Sequence, residues 1–167
     1  MVKKAKQGDK EALVQLIMAE KQAYYKLAYV YMKNSEDAMD AMEDMILILY
    51  ENIDRLKNEN SFYSWSNTIL VNCCKSSLKK KSKVVFLENL QEEKLHYPVE
   101  EKDEQLRLEK HLGELNPKQQ EAIRLRYFMD MDYQSIAELL KIPLGTVKSR
   151  ISVGLNKLKV VLGGEEL

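Results

Sequence analysis

Short polar and cationic side chains gather between residues 132 and 157, and their chemistry is that of nucleic-acid binding. Lysine and arginine neutralise phosphates, whereas serine, threonine and asparagine are short enough to approach base edges in the major groove. Those predicted to face outward on one helix are Thr146, Lys148, Ser149, Arg150, Ser152, Val153, Asn156 and Lys157. The segment therefore predicts a surface that reads DNA.

Two predicted helices separated by a tight break would position these side chains. The first begins at Asp132 and turns Ile136, Ala137 and Leu140 inward, and Pro143 suits the first turn of the second. The second helix has a buried stripe formed by Leu144, Val147, Ile151, Leu155, Leu158 and Leu162. This pattern is helix-turn-helix organisation, which favours DNA binding over an ordinary solvated helix face.

No other residues have the spacing of a catalytic or metal site. His96 and His111 lack Cys, Glu or His partners at ligand spacing, and no phosphate-binding glycine loop is present. Cys73 and Cys74 are neighbours, too close to bridge without strain, and are interpreted as small buried hydrophobes rather than a thiol sensor. We expect no catalysis, metal or cofactor.

The composition sets the class of protein. The chain is 45% hydrophobic and 31% charged with six Gly and three Pro, which favours an all-α fold. Its formal net charge is zero, so nucleic-acid binding must come from local basic patches. No apolar stretch is long enough to span a membrane and the first residues lack a signal core, so we expect the protein to stay inside the cell.

The first half predicts three amphipathic helices. The first covers Lys10 to Tyr31, and the second starts at the capping pair Asn34 and Ser35 and runs to about Ile53. The inner face of the second helix is predicted as Ala38, Ala41, Met42, Met45, Ile46, Leu49 and Ile53. Its acidic residues, Asp40, Glu43 and Asp44, project elsewhere.

The third helix would be capped by Ser61, carry Trp65 mainly as a core residue, and end in a lysine cluster. An acidic, aperiodic segment over residues 84–105 predicts a linker between a domain at 1–83 and a second at 106–167. In the second domain Asn116 and Pro117 suit the start of a helix.

These motifs resemble the extracytoplasmic-function sigma factors of the sigma-70 family. The stretch from Leu115 to Arg150 looks like region 4, which binds the minus-35 promoter element. The segments from Asn34 and from Phe62 look like region 2. The resemblance implies an alternative sigma factor, active in a stress response, that carries core RNA polymerase to promoter DNA.

The resemblance also implies roles for particular residues. Asp40, Glu43 and Asp44 would dock on the β′ clamp helices, with region 4 on the β flap. The minus-10 contacts would be Asn60, at the end of a base-holding loop over residues 55–60, with Asn72, Lys75, Ser76 and Lys79 on the third helix. An anti-sigma factor, often membrane-anchored, would control the protein, and the linker would thread the polymerase channels.

Three positions depart from the family pattern. Met39 replaces an acid before Asp40, Ser76 replaces an Asp of the minus-10 helix, and Val153 replaces an Arg of the recognition helix. Because an apolar side chain can touch a thymine methyl but cannot bond guanine, Val153 suggests an altered minus-35 preference.

Two other functions fit parts of the pattern. A free-standing helix-turn-helix regulator would normally dimerise on a palindromic site, and the sequence offers no clear dimer helix. A helical adaptor that binds only protein would show no salt-dependent DNA affinity. Dependence on core polymerase separates a sigma factor from both.

Overall fold

The computed structural model describes residues 1–88, 109 and 111–161, and regular structure in this part of the chain is entirely helical. The chain divides into two compact units, Met1–Asn89 and Leu90–Leu167. The predicted all-α fold of two helical domains is therefore confirmed, while the exact linker bounds at residues 84–105 stay a prediction. No helix of the described residues is long and apolar enough to cross a bilayer.

The first unit begins with α1 (Val2–Lys6), α2 (Lys10–Ala19) and α3 (Lys21–Met32). The prediction of one helix over Lys10 to Tyr31 was wrong, because the chain breaks at Glu20, whose φ of −114° and ψ of 17° leave the helical region. The apolar stripe resumes in phase beyond the break, with Ile17 and Tyr24 seven residues apart and both buried. Periodicity alone could not detect such a break.

Helix α4 (Ser35–Asn52) starts where the capping residues predicted it. Asn34 Oδ1 accepts a hydrogen bond of 2.8 Å from the backbone N–H of Asp37, and Lys33 ends α3 in the left-handed conformation. The predicted inner face is buried except for Ile46, which lies at the edge of the stripe and is exposed.

Two 3-10 turns, Ile53–Arg55 and Glu59–Ser61, connect α4 to α5 (Phe62–Glu88). Asn58 caps the second of these turns by accepting a bond of 3.0 Å from Asn60 N–H, whereas the cap of α5 by Ser61 stays a prediction. Helix α5 continues through the lysine cluster to Glu88 and so extends into the segment predicted as linker, whose remainder, from residue 89, lies outside the described residues.

Helices α3, α4 and α5 pack together to form the core of the first unit. At its centre the hydroxyls of Tyr24 and Ser66 share a hydrogen bond of 2.7 Å, and burial raises the pKa of Tyr24 to about 12. This bond joins α3 to α5, the helix that carries the predicted minus-10 residues.

The second unit contains α6 (Pro117–Tyr127), α7 (Tyr133–Leu140) and α8 (Leu144–Val161). Asn116 caps α6 as predicted and Pro117 occupies its first turn. Of the residues predicted to face inward on α7, Ile136 and Ala137 are buried, but Leu139 takes the buried position expected for Leu140, which is half-buried.

The buried stripe of α8 is narrower than predicted. Val147, Ile151 and Leu158 are buried, Leu155 is half-buried, and Leu144 is exposed because it begins the helix. The predicted stripe residue Leu162 lies outside the described part of the chain. Gly154 is also buried on this stripe. A side chain would not fit there, because a Cβ at this position would lie 2.7 Å from Ile123 Cδ1 of α6.

Candidate DNA and polymerase interfaces

The outward side of α8, opposite its buried stripe, is formed by Ser149, Ser152, Val153 and Asn156, and we call it the reading face. All four side chains are exposed, and Val153 exposes 43% of its surface. Ser152 Oγ donates a bond of 3.3 Å to the carbonyl of Ser149, which leaves its lone pairs available.

The flanks of the reading face are basic or polar. Lys148 and Lys157 are exposed, whereas Thr146 and Arg150 are half-buried. The structure therefore places all eight predicted minus-35 residues on one helix, six of them exposed and two half-buried. In such an arrangement the cations can bind phosphates while the short polar side chains approach the base edges.

The turn before α7 is held by Arg126, a residue for which no role was predicted. Its guanidinium donates a bond of 3.0 Å to the Met131 carbonyl and lies 5.3 Å from the centre of the Tyr133 ring. At the same turn Asp132 accepts bonds from the backbone N–H and the hydroxyl of Ser135, which lower the pKa of its carboxyl. These contacts fix the start of the helix-turn-helix.

An ion pair joins Glu109, near the start of the second unit, to α6. One nitrogen of the Arg124 guanidinium lies 2.6 Å from each carboxylate oxygen of Glu109. Because the Arg124 side chain is largely buried, this ion pair anchors Glu109 against α6.

The predicted minus-10 residues of α5 share one exposed side of the helix. Asn72 and Ser76 lie four residues apart, as do Lys75 and Lys79, so the two pairs occupy neighbouring positions on one side of the helix, and all four side chains are exposed. The remaining predicted residue, Asn60, is exposed in the 3-10 turn that precedes α5. Trp65, predicted mainly as core, is only half-buried, with its ring 6.4 Å from that of Phe62.

The four lysines of the cluster near the end of α5 have different surroundings. Lys81 forms an ion pair with Asp37 in the first turn of α4, and this pairing, with a bond from Asn34, lowers the pKa of Asp37. Lys79, Lys80 and Lys83 are exposed and make no ion pair with the described residues. One lysine therefore fastens α5 to α4, and three remain available to phosphates.

The outward face of α4 combines acids with large apolar side chains. Asp40, Glu43 and Asp44 are exposed as predicted, and Met39, Leu47 and Tyr50 are exposed on the same side, Leu47 by 62%. We call these six residues the docking face. The apolar members were missed, although the run from Met45 to Leu49 is too continuous for one face of a helix to bury.

The cysteines and histidines were the remaining candidates for a chemical role. Cys73 and Cys74 are buried as predicted, and burial raises the pKa of both thiols, that of Cys74 to about 12. His111 is half-buried, and His96 lies outside the described residues. Among the described side chains no three of His, Cys, Asp or Glu gather as a metal site.

Known proteins similar to this chain share both halves. The family profile described as Sigma-70 region 2 matches residues 16–84, and that of Sigma-70, region 4 matches residues 105–158. The RNA polymerase sigma factor SigV of Bacillus subtilis is 31% identical, over 98% of this chain and 99% of that protein. The ECF RNA polymerase sigma factor SigW of the same organism is 26% identical, over 95% and 92%.

Solved structures agree at the level of the fold. The sigma factor RpoE of Bartonella quintana, solved with the anti-sigma factor NepR, superposes with a TM-score of 0.72 at 22% identity and covers 93% of this chain and 99% of that chain. CnrH, solved with the cytosolic domain of CnrY, gives 0.69 at 19% identity over 99% and 96%. With two profiles that together match most of its length and a relative above 30% identity, the chain belongs to the extracytoplasmic-function sigma factors of the sigma-70 family.

Proposed function

We propose that this sigma factor reads the minus-35 element with the reading face of α8, flanked by Thr146, Lys148, Arg150 and Lys157. The observation that carries the proposal is the division of α8 into a buried stripe and an opposite exposed side of short polar residues. Such a helix fits the major groove, where its cations would fix the register on the phosphates.

The minus-10 element would be read by α5 and the loop before it. Asn72, Lys75, Ser76 and Lys79 offer amide, hydroxyl and ammonium groups along one exposed side, and Asn60 stands at the end of the loop. Extruding a base into that loop costs a few kcal/mol, so promoters that melt easily would be selected.

The docking face of α4 would bind core polymerase at the β′ clamp helices, with the second unit on the β flap. Exposed Leu47, Met39 and Tyr50 supply apolar anchors, and the three acids supply charge complementarity that selects the partner. The polymerase would perform the chemistry, while this chain selects the promoter.

Regulation is proposed by analogy with the solved relatives. The RpoE of Bartonella quintana and CnrH were each solved with a bound regulator or cytosolic domain. An anti-sigma factor that covers the docking face would hold this protein inactive in the cytoplasm, or beneath the membrane where that factor is anchored, until a stress releases it.

Run-off transcription tests the proposal. Purified core polymerase is incubated with fragmented genomic DNA of the source bacterium, with and without the protein, and new start sites are mapped. Discrete protein-dependent starts that share two upstream elements are expected.

The docking face is tested with a charge-reversed variant, Asp40→Lys with Asp44→Lys. Both positions are exposed, so the fold should tolerate the change. It should lose the starts and core binding but keep its helical content. DNA binding by the wild type without core, and no starts with core, would instead indicate a free-standing regulator.

A further inference from the structure

Cationic side chains to which no individual contact has been assigned gather in one part of the first unit. They come from α1, the start of α2 and the loop after α4, and we call the set the basic corner: Lys3, Lys4, Lys6, Lys10, Arg55 and Lys57. Helix α1 packs against both α2 and the turn Ile53–Arg55. Lys10 Nζ lies 5.1 Å from the centre of the Tyr50 ring, in the last turns of α4. The three segments are therefore adjacent.

The basic corner is solvated and not neutralised from within. Its side chains are exposed except for Lys6, which is half-buried, and none forms an ion pair with the described residues. The carboxylates of the same segments number five against these six cations: Asp9, Glu11, Glu51, Asp54 and Glu59. Asp9 is already engaged, since its Oδ1 accepts a bond of 3.0 Å from Ala12 N–H as the cap of α2. The surplus is therefore positive.

We infer that the basic corner binds the phosphates of the single-stranded DNA that passes the minus-10 loop. The inference rests on the proposed function, because the loop over residues 55–60 is the proposed base-holding element. Arg55 and Lys57 belong to that loop, and α1 places further lysines beside its first turn. Single-strand sites combine a positively charged track along the backbone with elements that hold the bases.

The chemistry of α1 favours phosphate over a protein surface. Its exposed side chains, Lys3 and Lys4, are both cationic, while Ala5 is buried and Val2 half-buried against the rest of the unit. A protein partner would more often find an apolar anchor at the centre of its contact. Between Val2 and Lys6 helix α1 exposes no such side chain, and the exposed apolar residue at its start is Met1.

The test uses holoenzyme and a promoter taken from the run-off map. Binding of Lys3→Gln with Lys4→Gln is compared with the wild type on a fork fragment, whose non-template minus-10 strand is single-stranded, and on a fully duplex fragment that ends upstream of it. Lys21→Gln with Lys26→Gln, two exposed lysines of α3, is the matched control.

Binding constants are measured over a range of salt concentrations. If two phosphate contacts are lost, the slope of log K against log salt concentration on the fork fragment should become shallower by about 1.4, and affinity at 0.15 M salt should fall roughly tenfold. Duplex binding should not change. An unchanged slope, or an equal loss in the control, overturns the inference, and weaker core binding assigns the lysines to polymerase instead. Wild-type holoenzyme that does not retain the fork fragment refutes the proposed function itself.

Discussion

Val153 lies in the middle of the reading face with 43% of its surface exposed, at the position where the family pattern has an arginine. We expect Val153→Arg to move the preferred base at one minus-35 position toward guanine. The discrimination gained should be about 1 to 3 kcal/mol, because a bidentate arginine contact is worth that much. Holoenzyme binding to a minus-35 base library measures the change.

Val160→Arg is the control for added charge, since Val160 is 81% exposed two turns further along α8. It should raise affinity for every library member without altering base preference. If both variants shift the preference alike, or neither does, Val153 does not face the bases.

The two cysteines allow a test of burial at single residues. Because burial raises the pKa of Cys74 to about 12, its thiolate is scarce at pH 8, and the side chain is closed to solvent. We expect Cys73→Ala, which leaves Cys74, to react with an aromatic disulfide reagent at least a hundredfold more slowly when folded than in denaturant.

Cys74→Ala leaves Cys73, which is 8% exposed and should react faster than Cys74 under the same conditions. Rapid labelling of Cys74 in the folded protein would contradict the burial and reopen the hypothesis of a thiol sensor.

At the scale of helices, the Asp37–Lys81 pair fastens α5 to the start of α4. We expect Asp37→Asn and Lys81→Gln each to lower the free energy of unfolding of the first unit by about 0.5 kcal/mol, the usual value for a partly exposed pair. Trp65, the single tryptophan, reports urea unfolding of this unit.

The pair also has a defined pH dependence. Since folding lowers the pKa of Asp37 below its ordinary 3.8, its stabilisation is complete above that pH and is lost as the pH falls through the lower folded value. Asp37→Asn should flatten this loss, and the neighbouring exposed variant Lys80→Gln should not. If the free energy of unfolding falls identically with pH in the wild type and in Asp37→Asn, the pair contributes nothing.

Much of the helical framework followed from local signals, because Asn34, Asn116 and Asp132 cap helices through contacts within three residues. The break at Glu20 could not be predicted, since the apolar stripe stays in phase across it. The partner of Lys81 lies 44 residues away, so no local pattern distinguishes it from Lys79. Outward positions on α8 followed from its period, whereas the buried Gly154 depends on a tertiary crossing with Ile123.

At the scale of the whole molecule, a net charge of zero hides strong local separation. The docking face carries three acids on α4, whereas the proposed DNA contacts on α5, α8 and the basic corner are cationic. Long-range attraction of DNA to the free chain is therefore weak. Core polymerase would cover the acids and leave the cations to act.

Neutralising the docking face should therefore have opposite effects on the two partners. The variant Asp40→Asn, Glu43→Gln, Asp44→Asn changes the net charge from zero to +3, and we expect its free chain to bind promoter DNA more tightly while its affinity for core falls. Glu20→Gln, Glu114→Gln, Glu138→Gln adds the same charge at exposed positions outside the docking face and should keep core binding. Filter binding of free chain and holoenzyme, with core affinity measured separately, compares the two. Equal core affinity in both variants would mean that the acids of α4 only solvate the helix and that Met39, Leu47 and Tyr50 alone provide the contact with polymerase.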